Sequence, residues 1–189
     1  MPDNGDGDMP FTRKEILKMT EEELERGQSK QQVLDDLSGR QQFYSRESLA
    51  QVISLVPDPE LRRRYEALNR VLFGLLLLMA GLCLAAGIMF FSRGRSQSGG
   101  TAFLGSFIVL CFVHDVRQMR GNIYWPLGLL SLAATARIAV RVSTLFPWNL
   151  LITLSLGAIA ILAFYLGGSL FPHRGFMGIK KDQDGNWLL

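Results

Sequence analysis

Residues 62–91 read RRRYEALNRVLFGLLLLMAGLCLAAGIMFF. Three arginines, two helical turns of mixed character and a run over 71–91 without a single charge stand in one uninterrupted stretch. At a rise of about 1.5 Å per residue, an apolar helix of that length crosses the roughly 30 Å hydrocarbon core of a bilayer. Asp58 suits a helix N-cap and Pro59 a first helical residue, and no strong helix breaker follows before Phe91. The spacing predicts one helix over 58–91. It starts as a juxtamembrane segment and becomes the first transmembrane span at 71–91.

Three more apolar runs follow, at 101–116, 123–146 and 148–171. The second is short for a span. The third carries Arg137 and Arg141, and the fourth is free of charge. A single apolar run reads equally well as a buried core helix. Four such runs joined by SRGRSQSGG, HDVRQMRGN and a tight FPW corner point to a bilayer. The expected fold is therefore all-α: a polytopic membrane protein with four transmembrane helices, a small cytosolic helical segment before them and a short β-hairpin-like tail after them. No internal repeat is evident.

Charge divides the chain the same way. Residues 1–70 hold 11 Lys/Arg and 14 Asp/Glu, whereas residues 71–189 hold 9 and 3. The basic residues flank or interrupt apolar runs, so the expected partner is an anionic lipid headgroup and not nucleic acid. The N-terminal MPDNGDGDMP is acidic and lacks the apolar core of a signal peptide. Cys83 and Cys111 lie within apolar runs and imply no disulfide framework.

Residues 1–10 read as disordered. Residues 11–57 read as a small amphipathic helical segment. Thr12 precedes Glu15, and Ser29 precedes Gln32, at capping-box spacing, and Gly27 suits a helix end. Leu49, Val52, Ile53 and Val56 form a later helical stripe. This core is marginal on its own, which suggests a protein partner or self-association. Its helix–turn–helix length is balanced in charge and gives phosphates no electrostatic footprint.

With the N-terminus cytosolic, the cytosolic flanks hold Arg62, Arg63, Arg64, Arg70, Arg117, Arg120, Arg174, Lys180 and Lys181. The opposite flanks hold Arg93, Arg95, Arg141 and, depending on depth, Arg137. The positive-inside bias then puts both termini in the cytosol. Arg62, Arg63, Arg64 and Arg70 would anchor the first helix at the cytosolic leaflet. Phe90, Phe91, Phe146 and Trp148 on one side, with Tyr124, Trp125 and Phe171 on the other, fit interfacial aromatic belts.

Few residues suggest chemistry. Arg137 and Arg141 share one helix face. They either snorkel to headgroups or hold an anion or lipid phosphate in a polar cavity. His114 beside Asp115 is a weak protonation candidate, and no third ligand supports a zinc site. Gly157, Ala160, Ala163, Gly167 and Gly168, with Gly81, Ala85 and Ala86, permit close helix packing. In the 172–189 tail, Asp184-Gly185 suits a hairpin turn. Asp182, Asp184 and Asn186 alternate like a calcium loop but lack its closing glutamate. No catalytic motif, metal site or cofactor fingerprint is present.

The resulting expectation is a non-enzymatic scaffold, regulator or accessory subunit whose residues 11–57 bind a protein partner. A small oligomeric transporter or channel subunit using Arg137 and Arg141 is the alternative. An intramembrane lipid-modifying enzyme using His114 and Asp115 is a third reading. Compact size and the absence of a targeting peptide point to a bacterial inner membrane over a eukaryotic endomembrane.

Overall fold

The computed structural model describes residues 11–40, 44–139, 148–175, 178–180 and 187. They fall into two compact units. One takes residues from both ends of the chain, up to Pro59 and from His173, and the other is Glu60–Pro172.

The first unit begins with α1 (Arg13–Glu25), α2 (Lys30–Arg40) and α3 (Arg46–Ile53). Thr12 starts α1 through a reciprocal cap. Its hydroxyl accepts from the Glu15 N–H at 3.4 Å, and the Glu15 carboxylate accepts from the Thr12 N–H at 2.6 Å. The Thr12 N–H and then its hydroxyl, both donating to that carboxylate, favour the ionised form and hold the Glu15 carboxyl below its usual range. Ser29 and Gln32 repeat the device at α2. Gly27, at φ 91°, ends α1, with the Gln28 N–H on the Glu23 carbonyl and the Gly27 N–H on that of Leu24. Ile16, Val33, Leu34, Leu37, Leu49, Ala50 and Ile53 form the main core, and Leu17, Leu24, Leu55 and Val56 a second cluster.

The chain's other end extends this small core. Ile179 and Trp187 pack against the main cluster. The two-residue strands β1 (Arg174–Gly175) and β2 (Gly178–Ile179) pair antiparallel, with Arg174 opposite Ile179. The expected turn at Asp184-Gly185 and the calcium-like Asp182, Asp184 and Asn186 lie outside the described residues, as do residues 1–10.

The second unit contains α4 (Pro59–Ser92), α5 (Ser96–Arg117), α6 (Tyr124–Ala139) and α7 (Trp148–Leu170). Three of these, α4, α5 and α7, are long and apolar enough to cross a membrane. The apolar run 101–116 is short for a span, yet its helix reaches 22 residues because Ser96–Gly100, expected to be connector, form its first turns. What fixes that boundary is the turn before it. Gly94 adopts φ 73°, and the Arg95 N–H reaches back to the Phe90 carbonyl at 2.9 Å, so α4 stops and α5 starts within a few residues. The described part of α6 is 16 residues long. The rest of the expected third span lies outside the described residues.

The helices pair as antiparallel hairpins. Along α4 and α5, Phe91 lies over Gly99, Gly87 faces Phe103, and the Ser106 hydroxyl donates to the Ala80 carbonyl at 3.0 Å. Along α6 and α7 and just beyond their ends, Gly128 sits under the Phe164 ring and Gly121 under that of Phe171, while Gly167 lies against the Tyr124 Cβ and the Trp125 indole ring. Each ring fills the notch left by a missing Cβ, and this lets the backbones approach. Ala160 and Ala163 of α7 are buried, whereas a Cβ on Gly81, Gly157 or Gly168 would meet nothing. The small-residue pattern therefore mixes packing positions with open ones. Large apolar side chains cover the outside instead: Ile161 is 71% exposed and Phe107 65%.

A Cβ at Gly128 would lie 2.8 Å from the Phe164 ring. Gly128→Val should lower the stability of the α6–α7 pair by about 1–3 kcal/mol, seen as a reduced melting temperature in detergent. Gly157→Ala, with nothing within 4 Å, should leave it unchanged or raised.

Candidate functional site

A buried polar tie among three helices of the second unit centres on Asn69. It stands two residues before the charge-free run begins. Its side-chain amide donates to the Val116 carbonyl of α5 at 2.9 Å, and its Oδ1 accepts from the Tyr124 hydroxyl of α6 at 2.8 Å. Asn69 is 3% exposed and Tyr124 0%. A carbonyl can only accept, so the amide NH2 must face Val116 and the oxygen must face Tyr124.

The Val116 carbonyl belongs to the end of α5, where helical partners run out. It also accepts from the Met119 N–H at 3.0 Å. Met119 closes the helix at φ 52°, a left-handed conformation more usual for glycine. Its side chain is buried, which offsets that backbone cost. Asn69 thus ties the start of α4's apolar section, the end of α5 and the start of α6 at one end of the bundle. Tyr124 also packs on Phe171, with ring centroids 6.1 Å apart. Tyr124 and Phe171 are core residues, not members of an interfacial belt. Trp125 packs edge-on against Phe164 at 5.5 Å, and its indole nitrogen is buried without a hydrogen-bond partner among the described residues.

The residues singled out from sequence are not brought together. Arg137 is exposed in the last described turn of α6. Arg141 lies outside the described residues, as does Phe146. His114 is exposed and lies 3.0 Å from the Gln118 side chain. Asp115 pairs instead with Arg120 at 4.0 Å. His114 and Asp115 therefore each have a local partner at the end of α5. Arg63, Arg64 and Arg70 are exposed and Arg62 is half-buried. Arg70 pairs with Glu66 at 2.5 Å, and Arg64 lies 5.8 Å from the centroid of the Tyr65 ring. Tyr65 meets Tyr165 edge-on at 6.0 Å. No group of three or more metal-ligating side chains occurs among the described residues.

Two cations of the first unit carry no sequence signal. Arg174 donates to the Ser54 hydroxyl at 2.8 Å and to the Gln51 carbonyl at 3.4 Å. Burial lowers its pKa, and Arg13 lowers it further by repulsion. Lys30 is only 8% exposed and lies 3.5 Å from Asp58. Burial lowers its pKa, and the attraction of Asp58 offsets only part of that. No short motif marks either position; both depend on which elements meet.

The fold and these contacts define a helical protein whose long apolar helices suit a membrane, joined to a small helical unit with a separate core. No protein-family model, curated protein or solved structure matches the chain.

Replacing Asn69 by Leu should cost about 1–3 kcal/mol, because the Tyr124 hydroxyl loses its acceptor in a buried site. Tyr124→Phe should cost less, near the ~0.6 kcal/mol average for hydrogen bonds between membrane helices. The double variant should be less destabilised than the two losses added together, a coupling that a double-mutant cycle in detergent measures.

The Lys30 ammonium is disfavoured in the folded state relative to the unfolded one, so its penalty is fully present at neutral pH. That penalty is relieved as pH rises from the lowered folded pKa to the ordinary lysine range. Lys30→Met should raise the melting temperature at pH 7 and abolish this alkaline gain, measured by thermal unfolding against pH.

Proposed function

We propose that this is a four-span integral membrane protein of a bacterial inner membrane. Both termini are cytosolic, and residues 11–57 dock a protein partner, making it a scaffold, regulator or accessory subunit and not an enzyme. The observation that carries this reading is the composition of the first unit. It is built from segments before and after Glu60–Pro172, so the chain leaves one compact body and returns to it. A body on one side of a bilayer requires an even number of crossings between its two segments. Three helices have spanning length and composition, and α6 supplies the fourth crossing.

The distribution of apolar surface supports the same division. Among the described residues, the large hydrophobic side chains that are strongly exposed lie between Val71 and Tyr165. The first unit exposes charge instead, including a groove lined by Glu23, Gln28, Gln32, Asp36 and Arg40. That is a surface for water and for a polar or basic partner. Orientation follows from the bundle end marked by Asn69 and Val116, which carries Arg62, Arg63, Arg64, Arg70, Arg117 and Arg120. The opposite end carries Arg93, Arg95 and Arg137, and Arg141, which lies outside the described residues, is assigned to the same side. The positive-inside bias favours the first end in the cytosol, and the exposed arginines there anchor it to anionic headgroups at about 1 kcal/mol each.

With Cys83 and Cys111 replaced by Ala, single cysteines at Gln28 and Asn122 should react with an impermeant thiol reagent only from the cytosolic side. A cysteine at Gln97 should react only from the other side. Labelling of the Asn122 and Gln97 positions from one face would remove the four-span reading. Deleting residues 11–57 while retaining 58–189 should reproduce the phenotype of losing the whole protein. Full complementation by the shortened chain, with anion flux abolished by Arg137→Ala, would favour a transporter.

A further inference from the structure

Two tyrosines of the second unit meet where the arginine-rich start of α4 gives way to apolar surface. Tyr65 of α4 is half-buried, and the exposed Tyr165 of α7 packs edge-on against it, with ring centroids 6.0 Å apart. The Arg64 guanidinium carbon lies 5.8 Å from the centroid of the same Tyr65 ring. Further along α7, Ile161 and Leu154 continue the exposed face of Tyr165 at helical spacing. Tyrosine suits the headgroup boundary, because one end of it is apolar and the other wet. Tyr65 and Tyr165 take the interfacial place that Tyr124 and Phe171, both core residues, do not.

An exposed cation, a phenol and a bare apolar strip thus follow one another from the end of the bundle into its lipid-facing part. A glycerophospholipid has the same order of phosphate, ester oxygens and acyl chain. Arg63 and Arg64 are exposed, and among the described residues no carboxylate pairs with either. Arginines in the opening turns of a helix oppose its dipole, so helix stability does not account for them. A guanidinium stacked on an aromatic face keeps its edge N–H donors, which suit a phosphate in a bidentate fork. Arg70 and Arg120 differ, because Glu66 and Asp115 already pair with them. A choline headgroup fits poorly. The ring that would attract its ammonium already faces a guanidinium, and a second cation there meets repulsion.

We propose that Arg63, Arg64, Tyr65 and Tyr165 form a discrete site for one anionic glycerophospholipid, in the leaflet that meets this end of the bundle. Arg63 and Arg64 hold the phosphate, with the Tyr65 ring positioning the Arg64 guanidinium. The Tyr165 hydroxyl donates to a glycerol ester oxygen, and one acyl chain lies on Ile161 and Leu154. This site rests on the membrane reading above. It differs from the general pull of arginines on headgroups in its single lipid and its dependence on two aromatic rings.

The test uses the full chain purified in a non-ionic detergent, with native mass spectrometry counting bound dioleoyl phosphatidylglycerol or dioleoyl phosphatidylcholine. One phosphatidylglycerol should bind saturably, at least about tenfold tighter than phosphatidylcholine. Arg64→Ala should weaken it roughly fivefold, and Tyr165→Phe, which keeps the ring, roughly threefold. Tyr65→Phe should bind like the unaltered chain, because the ring acts through its face, whereas Tyr65→Leu should bind as weakly as Arg64→Ala. Arg117→Ala, exposed at the same end, should change the affinity less than about twofold. Saturating phosphatidylglycerol should raise the melting temperature of the unaltered chain, and raise that of the Arg64→Ala, Tyr165→Phe double variant much less. Inorganic phosphate in large excess should leave the lipid in place; displacement would mark a free-anion site and overturn the lipid assignment. Equal affinity for the two lipids, equal losses at Arg64 and Arg117, or binding that never saturates would overturn the site and leave the membrane reading standing. A chain that stays monodisperse without detergent would instead remove that reading itself.

Discussion

A helix set in hydrocarbon has no water to receive its polar groups, so each must be satisfied inside the bundle. That constraint explains why one asparagine side chain organises the end of the second unit. The carbonyls at the end of α5 lack helical partners. The Asn69 amide supplies one of them, and its oxygen in turn receives the Tyr124 hydroxyl. Three chain segments are thereby fixed at the point where charge gives way to oil. The Ser106 hydroxyl on the Ala80 carbonyl applies the same rule between α4 and α5.

Apolar burial cannot be the main force between such helices, because lipid tails are as apolar as the side chains they would replace. Shape complementarity takes over. Phe91 over Gly99, Phe164 over Gly128 and Phe171 over Gly121 are aromatic rings lodged where a Cβ is missing. The first unit follows the opposite rule. Its apolar residues turn inward, most of its charges face out, and its helices begin and end with capping devices suited to water. Both ends of the chain meet there.

Much of the local structure is readable from residue order. The caps at Thr12 and Ser29 and the stop at Gly27 depend on neighbours three or four positions away. So does the unbroken α4. The start of α5 is not readable in this way, because Ser96–Gly100 looks like linker by composition. Only the turn at Gly94 and the fit of Gly99 under Phe91 make those residues helical. Met119 gives no sign of a left-handed helix end, since a buried methionine offsets its backbone cost only in the folded chain. The residues that look most chemical, His114 with Asp115, separate into local pairs with Gln118 and Arg120. Tyr124 and Phe171 belong to the core and not to the expected interface.

By itself, the sequence determined most of the helical stretches, that α4, α5 and α7 are long and apolar enough for a membrane, and which ends carry positive charge. These are properties of composition and short-range spacing, and they do not need distant partners. The tertiary structure alone decided that Asn69 meets Val116 and Tyr124, 47 and 55 residues away, and that Arg174 reaches Ser54, 120 residues away. A polar side chain's worth in a dry interior depends on the group facing it. Nothing in residue order names that group until the chain has closed on itself.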